Sequence, residues 1–280
     1  LKRRAVARAL KKLWASHLPF WSLLGGVAFL IVVVFAPWLM PYSATQQDFS
    51  NRLQAPSSVH FFGTDQLGRD VLTRVLYGGR ISLPLGLIIV LVGCAIGLVV
   101  GAVAGYWGGH LDNVLMGVTE VFQTFPTIVL AMVIAAVLGS SLWNATLALV
   151  LAWWPAYARL VRGLVLKIKQ HEYVEASRAL GASGFYLLFR TMLPNTAGPV
   201  VVMLSLDLGN AIIALAGLSF LGLGAVPPQP EWGRMVSEGV TVFDRWWVSV
   251  FPGLAIFSVA VVANFVGDFL RDRLDPQQRT

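Results

Sequence analysis

Three carboxylates stand inside otherwise apolar stretches of this 280-residue sequence. Asp207 lies in Ser205-Leu206-Asp207-Leu208-Gly209-Asn210, Glu120 in Gly117-Val118-Thr119-Glu120, and Asp268 directly after Gly267. A carboxylate among aliphatic side chains must pair with a neighbour or face water, because an isolated ion in hydrocarbon is expensive. Asp207 therefore has two readings. Together with Asn210 it could face a solute path and attract a cationic group, or it could bond to a neighbouring helix or an arginine. Glu120 and Asp268 sit near the ends of their stretches, where solvation or ion pairing is expected. Covalent chemistry is not foreshadowed. There is no Gly-x-x-x-x-Gly-Lys-Ser/Thr loop to cradle phosphates, no His-Glu-x-x-His, no paired-cysteine metal pattern and no Gly-x-Ser-x-Gly elbow. The four histidines are scattered. The chain is expected to be no enzyme and to hold no metal or cofactor of its own.

A second stretch carries chemistry of another kind. Glu172-Tyr173-Val174-Glu175-Ala176-Ser177-Arg178-Ala179-Leu180 is rich in helix formers, with its acidic residues in the first turn, where they complement the helix dipole. Gly181 suits the helix C-terminus, where a left-handed residue is often needed. Tyr173, Ala176 and Leu180 share one face. Small residues at 176, 177, 179, 182 and 183 leave little bulk. Either a short surface helix is offered to a closely approaching protein, or a helical loop lies on the membrane surface.

The elements that must position these residues are set by hydropathy. Hydrophobic residues make up 56% of the chain and charged ones only 12%, where a soluble domain has about a quarter charged. Six apolar stretches are long enough to cross a hydrocarbon core: Phe20–Leu39, Ile81–Tyr106, Val114–Leu138, Leu142–Val165, Val200–Leu223 and Val248–Leu270. The fold class is an all-α integral membrane protein of about six spans, since lipid leaves no partner for unpaired backbone. The first stretch follows a basic tail (1–19), as a signal peptide would, but it has full spanning length and ends in Ala36-Pro37-Trp38 rather than a small-residue cleavage site. It is read as a retained helix (20–39). An external segment (40–80) follows, then a five-helix core (81–270) with a cytoplasmic loop at 166–195 and an external one at 224–247, and a short tail (271–280).

Basic residues orient this arrangement. With the N-terminus inside, fifteen Lys and Arg fall on the cytoplasmic side and six outside, which puts both termini in the cytoplasm. The net charge of +7 then fits membrane lipids of an anionic inner leaflet, not nucleic acid. The exception is Arg69, Arg74 and Arg80 on the outside, with Asp65 and Asp70 placed to compensate them. Gly93, Gly97, Gly101 and Gly105 recur every four residues and mark a helix face for close packing. Pro126 and Pro155 are candidate kinks. Trp143, Trp153, Trp154, Trp246 and Trp247 fall near proposed ends or kinks, some fitting an interfacial belt. Cys94 is alone and read as a packing residue.

The segment from Glu175 to Pro194 resembles the EAA loop of ABC importer permeases: Glu-Ala-Ala, three residues, Gly, nine residues, Ile, one residue, Leu-Pro. Glu175, Ala176, Ser177, Gly181, Leu193 and Pro194 keep that spacing, with Ser177 for the second Ala and Thr191 for Ile. Phe62–Asp70, Asp112-Asn113, Phe125-Pro126, Leu218–Gly224, Pro230-Glu231-Trp232-Gly233, Phe251-Pro252-Gly253 and Gly267-Asp268 through Leu274-Asp275-Pro276 extend the similarity. Together they resemble the C-type permease of dipeptide, oligopeptide and nickel importers. The resemblance implies a type I importer fold in the bacterial inner membrane and a heterodimer with a second homologous permease. It also implies two ATPase subunits that bind ATP and Mg, and a substrate-binding protein outside. Glu175 to Pro194 would be the loop coupling to an ATPase. Nickel or a metal chelate as the solute, or an ATP-independent secondary transporter, are the alternatives.

Overall fold

The computed structural model describes residues 31–40 and 42–274. The apolar stretches are helices, each closing its own backbone hydrogen bonds. They run α1 (Ala36–Leu39), α2 (Val71–Trp107), α3 (Gly109–Gln123), α4 (Thr127–Leu138), α5 (Leu142–Lys169), α6 (Glu172–Ala179), α7 (Gly184–Phe220), α8 (Trp232–Val240) and α9 (Trp247–Leu274). Four of these, α2, α5, α7 and α9, are long and apolar enough to cross a membrane, and α3 and α4, bent by 85° at the break between them, are so only as a pair. The first stretch, Phe20–Leu39, lies outside the described residues up to Leu30, as do the 1–19 tail and residues 275–280. Its remainder is mostly helical and packs Val33 and Ala36 on Leu76 of α2.

The closest helix pairing is α2 with α5, and the glycines explain it. Residues four apart share a helix face, and a glycine there brings the two backbones together. A Cβ on Gly101 would collide with the Ala158 carbonyl and lie 2.9 Å from the Arg162 nitrogen; one on Gly97 would lie 2.8 Å from the Ala158 nitrogen. Gly105 faces Arg162 and Val165, and Gly93 has the loosest fit, 3.3 Å from Trp153 Cβ. On the other side α7 packs against α9, where Gly209 meets the Ala260 backbone and Gly267 meets Leu206.

At the N-terminal end of α2 the segment before it folds over α8 and the start of α9. Trp247 Nε1 donates to the Thr64 carbonyl at 3.1 Å, Gln66 Nε2 to the Glu238 carbonyl at 2.7 Å, and Phe62 stacks on Phe251 with centroids 3.8 Å apart. Arg69 and Arg74 are buried beneath this cover and share two carboxylates: Asp65 at 2.7 and 3.4 Å, Glu238 at 3.0 and 3.2 Å. Asp65 compensates these arginines, but Asp70 does not. It pairs with His60 at 2.9 Å and caps α2 by accepting from the Thr73 N–H at 2.7 Å. Glu231 is fully buried and caps α8, accepting from the N–H groups of Gly233 and Arg234. Trp232 is buried with its Nε1 donating to the Val75 carbonyl at 2.8 Å.

Several boundaries differ from hydropathy. The second spanning helix begins at Val71, not Ile81: the Asp70 cap starts it, and its first turns are polar because they are covered by protein. The fifth begins at Gly184, not Val200. Ser183 caps it, a π-helical turn over Leu187–Met192 follows, and Pro194 enters directly after that wider turn. Proline cannot donate to the preceding turn, and a widened turn accommodates it. The 166–195 stretch is thus the end of α5, all of α6 and the first turns of α7. Pro155 sits within an unbroken α5, whereas Pro126 stands at the α3–α4 break. Trp143 and Trp246 are exposed, as a belt residue is, but Trp154 and Trp247 are buried.

Candidate functional site

The α3–α4 break opens a cavity. Pro126 has no N–H to continue α3 and pushes Phe125 away from helical geometry, so the chain turns between Gln123 and Thr127. The space created is about 670 Å³ and is lined by the break itself, by Ala152, Trp153, Pro155, Ala156 and Arg159 of α5, and by Met203 and Asp207 of α7. Asp207 has both a cavity beside it and a bond to a neighbouring helix. It lines the cavity, and it accepts a hydrogen bond from Trp153 Nε1 at 3.2 Å on the neighbouring helix. Asn210 is exposed and does not contribute to the cavity wall. Gln123 also lines the cavity, and its Oε1 is buried without a hydrogen-bond partner.

Arg159 escaped the sequence reading, which counted it with the cytoplasmic basic residues. The available signal was its position inside the Leu142–Val165 stretch. It belongs to the cavity wall and also to a second pocket, about 350 Å³, shared with Asp112, Glu120 and Arg162. There Arg162 grips Asp112 with two hydrogen bonds of 2.6 Å. A forked, charge-assisted pair of this kind fixes the start of α3 against α5.

At the opposite end from the Arg69–Arg74 cluster lies α6. Val174 is its only buried residue. Glu175 and Ala176 are exposed, Tyr173 is 46% exposed and Leu180 is 89% exposed. Ser177 donates to the Tyr173 carbonyl at 2.8 Å. Gly181 ends the helix with φ +86°, its N–H bonding to the Arg178 carbonyl at 3.0 Å, and the Ala182 N–H reaches the Ser177 carbonyl at 3.1 Å. A Cβ on Gly181 would meet nothing within 4 Å. Leu193 is half-buried and Pro194 exposed in the first turns of α7. Next to Gly181 a groove of about 420 Å³ runs between Ser177, Leu180 and Tyr186. The groove and the exposed face of α6 form a shallow surface of apolar and small residues.

Comparison with known proteins bears on both regions. Residues 97–280 match the family described as binding-protein-dependent transport system inner membrane component, and residues 6–56 match the N-terminal TM domain of oligopeptide transport permease C. A probable D,D-dipeptide transport system permease protein of Escherichia coli is 42% identical over 90% of this chain and 85% of its own length. A glutathione transport system permease protein of Pectobacterium atrosepticum is 44% identical over 91% and 85%, and a dipeptide transport system permease protein of Alkalihalophilus pseudofirmus 39% over 97% and 90%. Among solved structures, a chain of the MetNI methionine ABC transporter in an inward-facing conformation superposes with a TM-score of 0.62 at 19% identity. It covers 73% of this chain and 97% of its own. That likeness concerns the fold, which is the permease fold of an ABC importer.

Proposed function

This chain belongs to the family of inner membrane components of binding-protein-dependent transport systems, and from that premise we propose that it forms one half of the membrane path of an ATP-driven importer of di- or oligopeptides. The relatives from D,D-dipeptide, glutathione and dipeptide systems support a short peptide or peptide conjugate as the solute. A second, homologous permease supplies the other half of the path. Two ATPase subunits, which hold ATP and Mg, dock on the α6 side, and a substrate-binding protein docks on the other. Both termini and α6 face the cytoplasm of the bacterial inner membrane, while residues 42–70 and α8 face outside. The excess of Lys and Arg at the α6 side supports this orientation.

One observation carries the proposal. The exposed α6 leads through Leu180–Ser183 into α7, and α7 runs unbroken past Asp207 in the cavity wall. Motion imposed on α6 by an ATPase has a covalent route to the cavity. Docking alone transmits nothing; the ATP-bound partner must favour one permease state over the other. The test is expression of this chain with its partner permease and ATPases, followed by purification and reconstitution with the binding protein. Stoichiometric ATPase subunits and ATP-dependent peptide uptake are expected. Uptake driven by an ion gradient with no ATPase in the complex would overturn the proposal.

A further inference from the structure

The cavity at the α3–α4 break holds one anion and one cation that have no mutual or other ionic partner among the described residues. Neither Asp207 nor Arg159 belongs to an ion pair among the described residues. Other charges of the chain are met: Arg162 pairs with Asp112, Arg69 and Arg74 pair with Asp65 and Glu238, and buried Glu231 accepts from two backbone N–H groups. An ionised side chain within a span is costly unless it pairs or lines a water-filled path. Asp207 and Arg159, left without an ionic partner, line the same cavity wall.

Their spacing is informative. Trp153 Nε1 holds the Asp207 carboxylate at 3.2 Å, so Trp153 marks the level of that carboxylate on α5. Arg159 is six residues further along α5, about 9 Å at the helical rise of about 1.5 Å per residue. An extended peptide advances about 3.3–3.6 Å per residue, so two or three residues cover that interval. Gln123 adds a buried acceptor without a partner to the same cavity. A bare divalent cation would find one carboxylate there, and no group of three potential ligands exists among the described residues.

Resting on the importer reading above, we infer that Asp207 and Arg159 are the two poles of a substrate station that selects zwitterions two or three residues long. The free amino group sits at Asp207, where Gln123 Oε1 accepts a further hydrogen bond, and the free carboxylate sits at Arg159. Trp153 is a positioning residue that aims the Asp207 carboxylate.

The test uses the complete transporter in nanodiscs, without the binding protein, whose own selectivity would mask the station. Equilibrium binding of radiolabelled dialanine is compared with that of N-acetyl-dialanine, which lacks the cation, and dialanine amide, which lacks the anion. Wild type should prefer dialanine about ten- to a hundredfold over either, the range of a charge-assisted hydrogen bond. Asp207→Asn should lower dialanine affinity to that of the N-acetyl form and leave the N-acetyl form unchanged. Arg159→Gln should do the same with respect to the amide. Equal wild-type affinity for all three ligands overturns the station without need of any variant, and so does a variant that weakens all three equally. ATP-dependent uptake with the binding protein restored is read separately. Uptake with indifferent binding overturns only the station, and selective binding without ATP-dependent uptake overturns only the importer reading.

Discussion

Replacement of Gly181 separates what the chain itself requires from what a docked partner requires. The residue has φ +86°, so any side chain there incurs left-handed backbone strain of about 1–2 kcal/mol. Alanine and leucine pay this equally. Beyond the backbone an alanine meets no obstacle within the chain, because a Cβ at this position has nothing within 4 Å, and the flexible outer carbons of a leucine have the adjoining groove to turn into. Gly181→Ala and Gly181→Leu should therefore give equal expression, membrane insertion and thermal stability. They should differ only where another protein presses on the α6 surface. There a leucine side chain is an overpacking defect worth about 1–3 kcal/mol, or roughly a 5- to 150-fold loss of docking affinity for Leu relative to Ala. The assay is copurification of the ATPase subunits together with peptide uptake per ATP hydrolysed in reconstituted vesicles. Equal docking and equal coupling in the two variants would refute the reasoning and remove the groove beside Leu180 from the docking surface. Unequal thermal stability of the two isolated chains would refute its premise.

Gly101→Ala places a methyl group against the Ala158 carbonyl and the Arg162 nitrogen; because backbone cannot rotate aside, it should destabilise the chain by about 1–3 kcal/mol, whereas Gly163→Ala, with open space at its Cβ, should not. Thermal unfolding in detergent compares them. Glu238→Ala leaves Arg69 and Arg74 with one carboxylate between them, and loss of a buried partner costs about 3–5 kcal/mol; protease should then cut residues 42–70 faster while α6 keeps its accessibility. Burial pushes the Glu231 carboxyl above its ordinary range, opposed by the N–H groups of Gly233 and Arg234. A carboxyl that holds its proton more tightly folded than unfolded weakens the fold as pH rises from about 4.3. Thermal scans across pH should therefore show wild type losing stability relative to Glu231→Gln as pH increases, and a flat difference would contradict the burial argument.

Hydropathy made the spanning helices legible, but it located their apolar middles rather than their ends. The ends are set by caps. Asp70 starts α2 ten residues before the apolar run does, and Ser183 starts α7 sixteen residues early, because protein rather than lipid covers those turns. The glycine repeat reported its face, since a missing side chain has a direct steric meaning. The surface helix was legible for the same reason: Glu172, Glu175 and Gly181 are local signals. The cavity was not. Asp207 announced itself as an odd residue in its stretch, but its companions come from two other helices, Gln123 from α3 and Trp153 and Arg159 from α5. The turn at Pro126 brings Gln123 to a wall that α5 and α7 form between them. Glu238, which holds two arginines more than 160 residues away in sequence, carried no local signal at all.

The length of α7 sets how far a small disturbance travels. Its 37 residues form a rod of about 55 Å, and Asp207 stands about 35 Å from its base at Gly184. A tilt of about 10° at that base would sweep the carboxylate sideways by about 6 Å, nearly twice its present hydrogen-bond distance from Trp153. Trp153 and Arg159 would not follow, because the glycines of α2 clasp their helix along about three turns. The anionic and cationic ends of the cavity thus belong to different mechanical bodies. A tilt of α7 would therefore change the gap between two charges without either charge leaving its own helix.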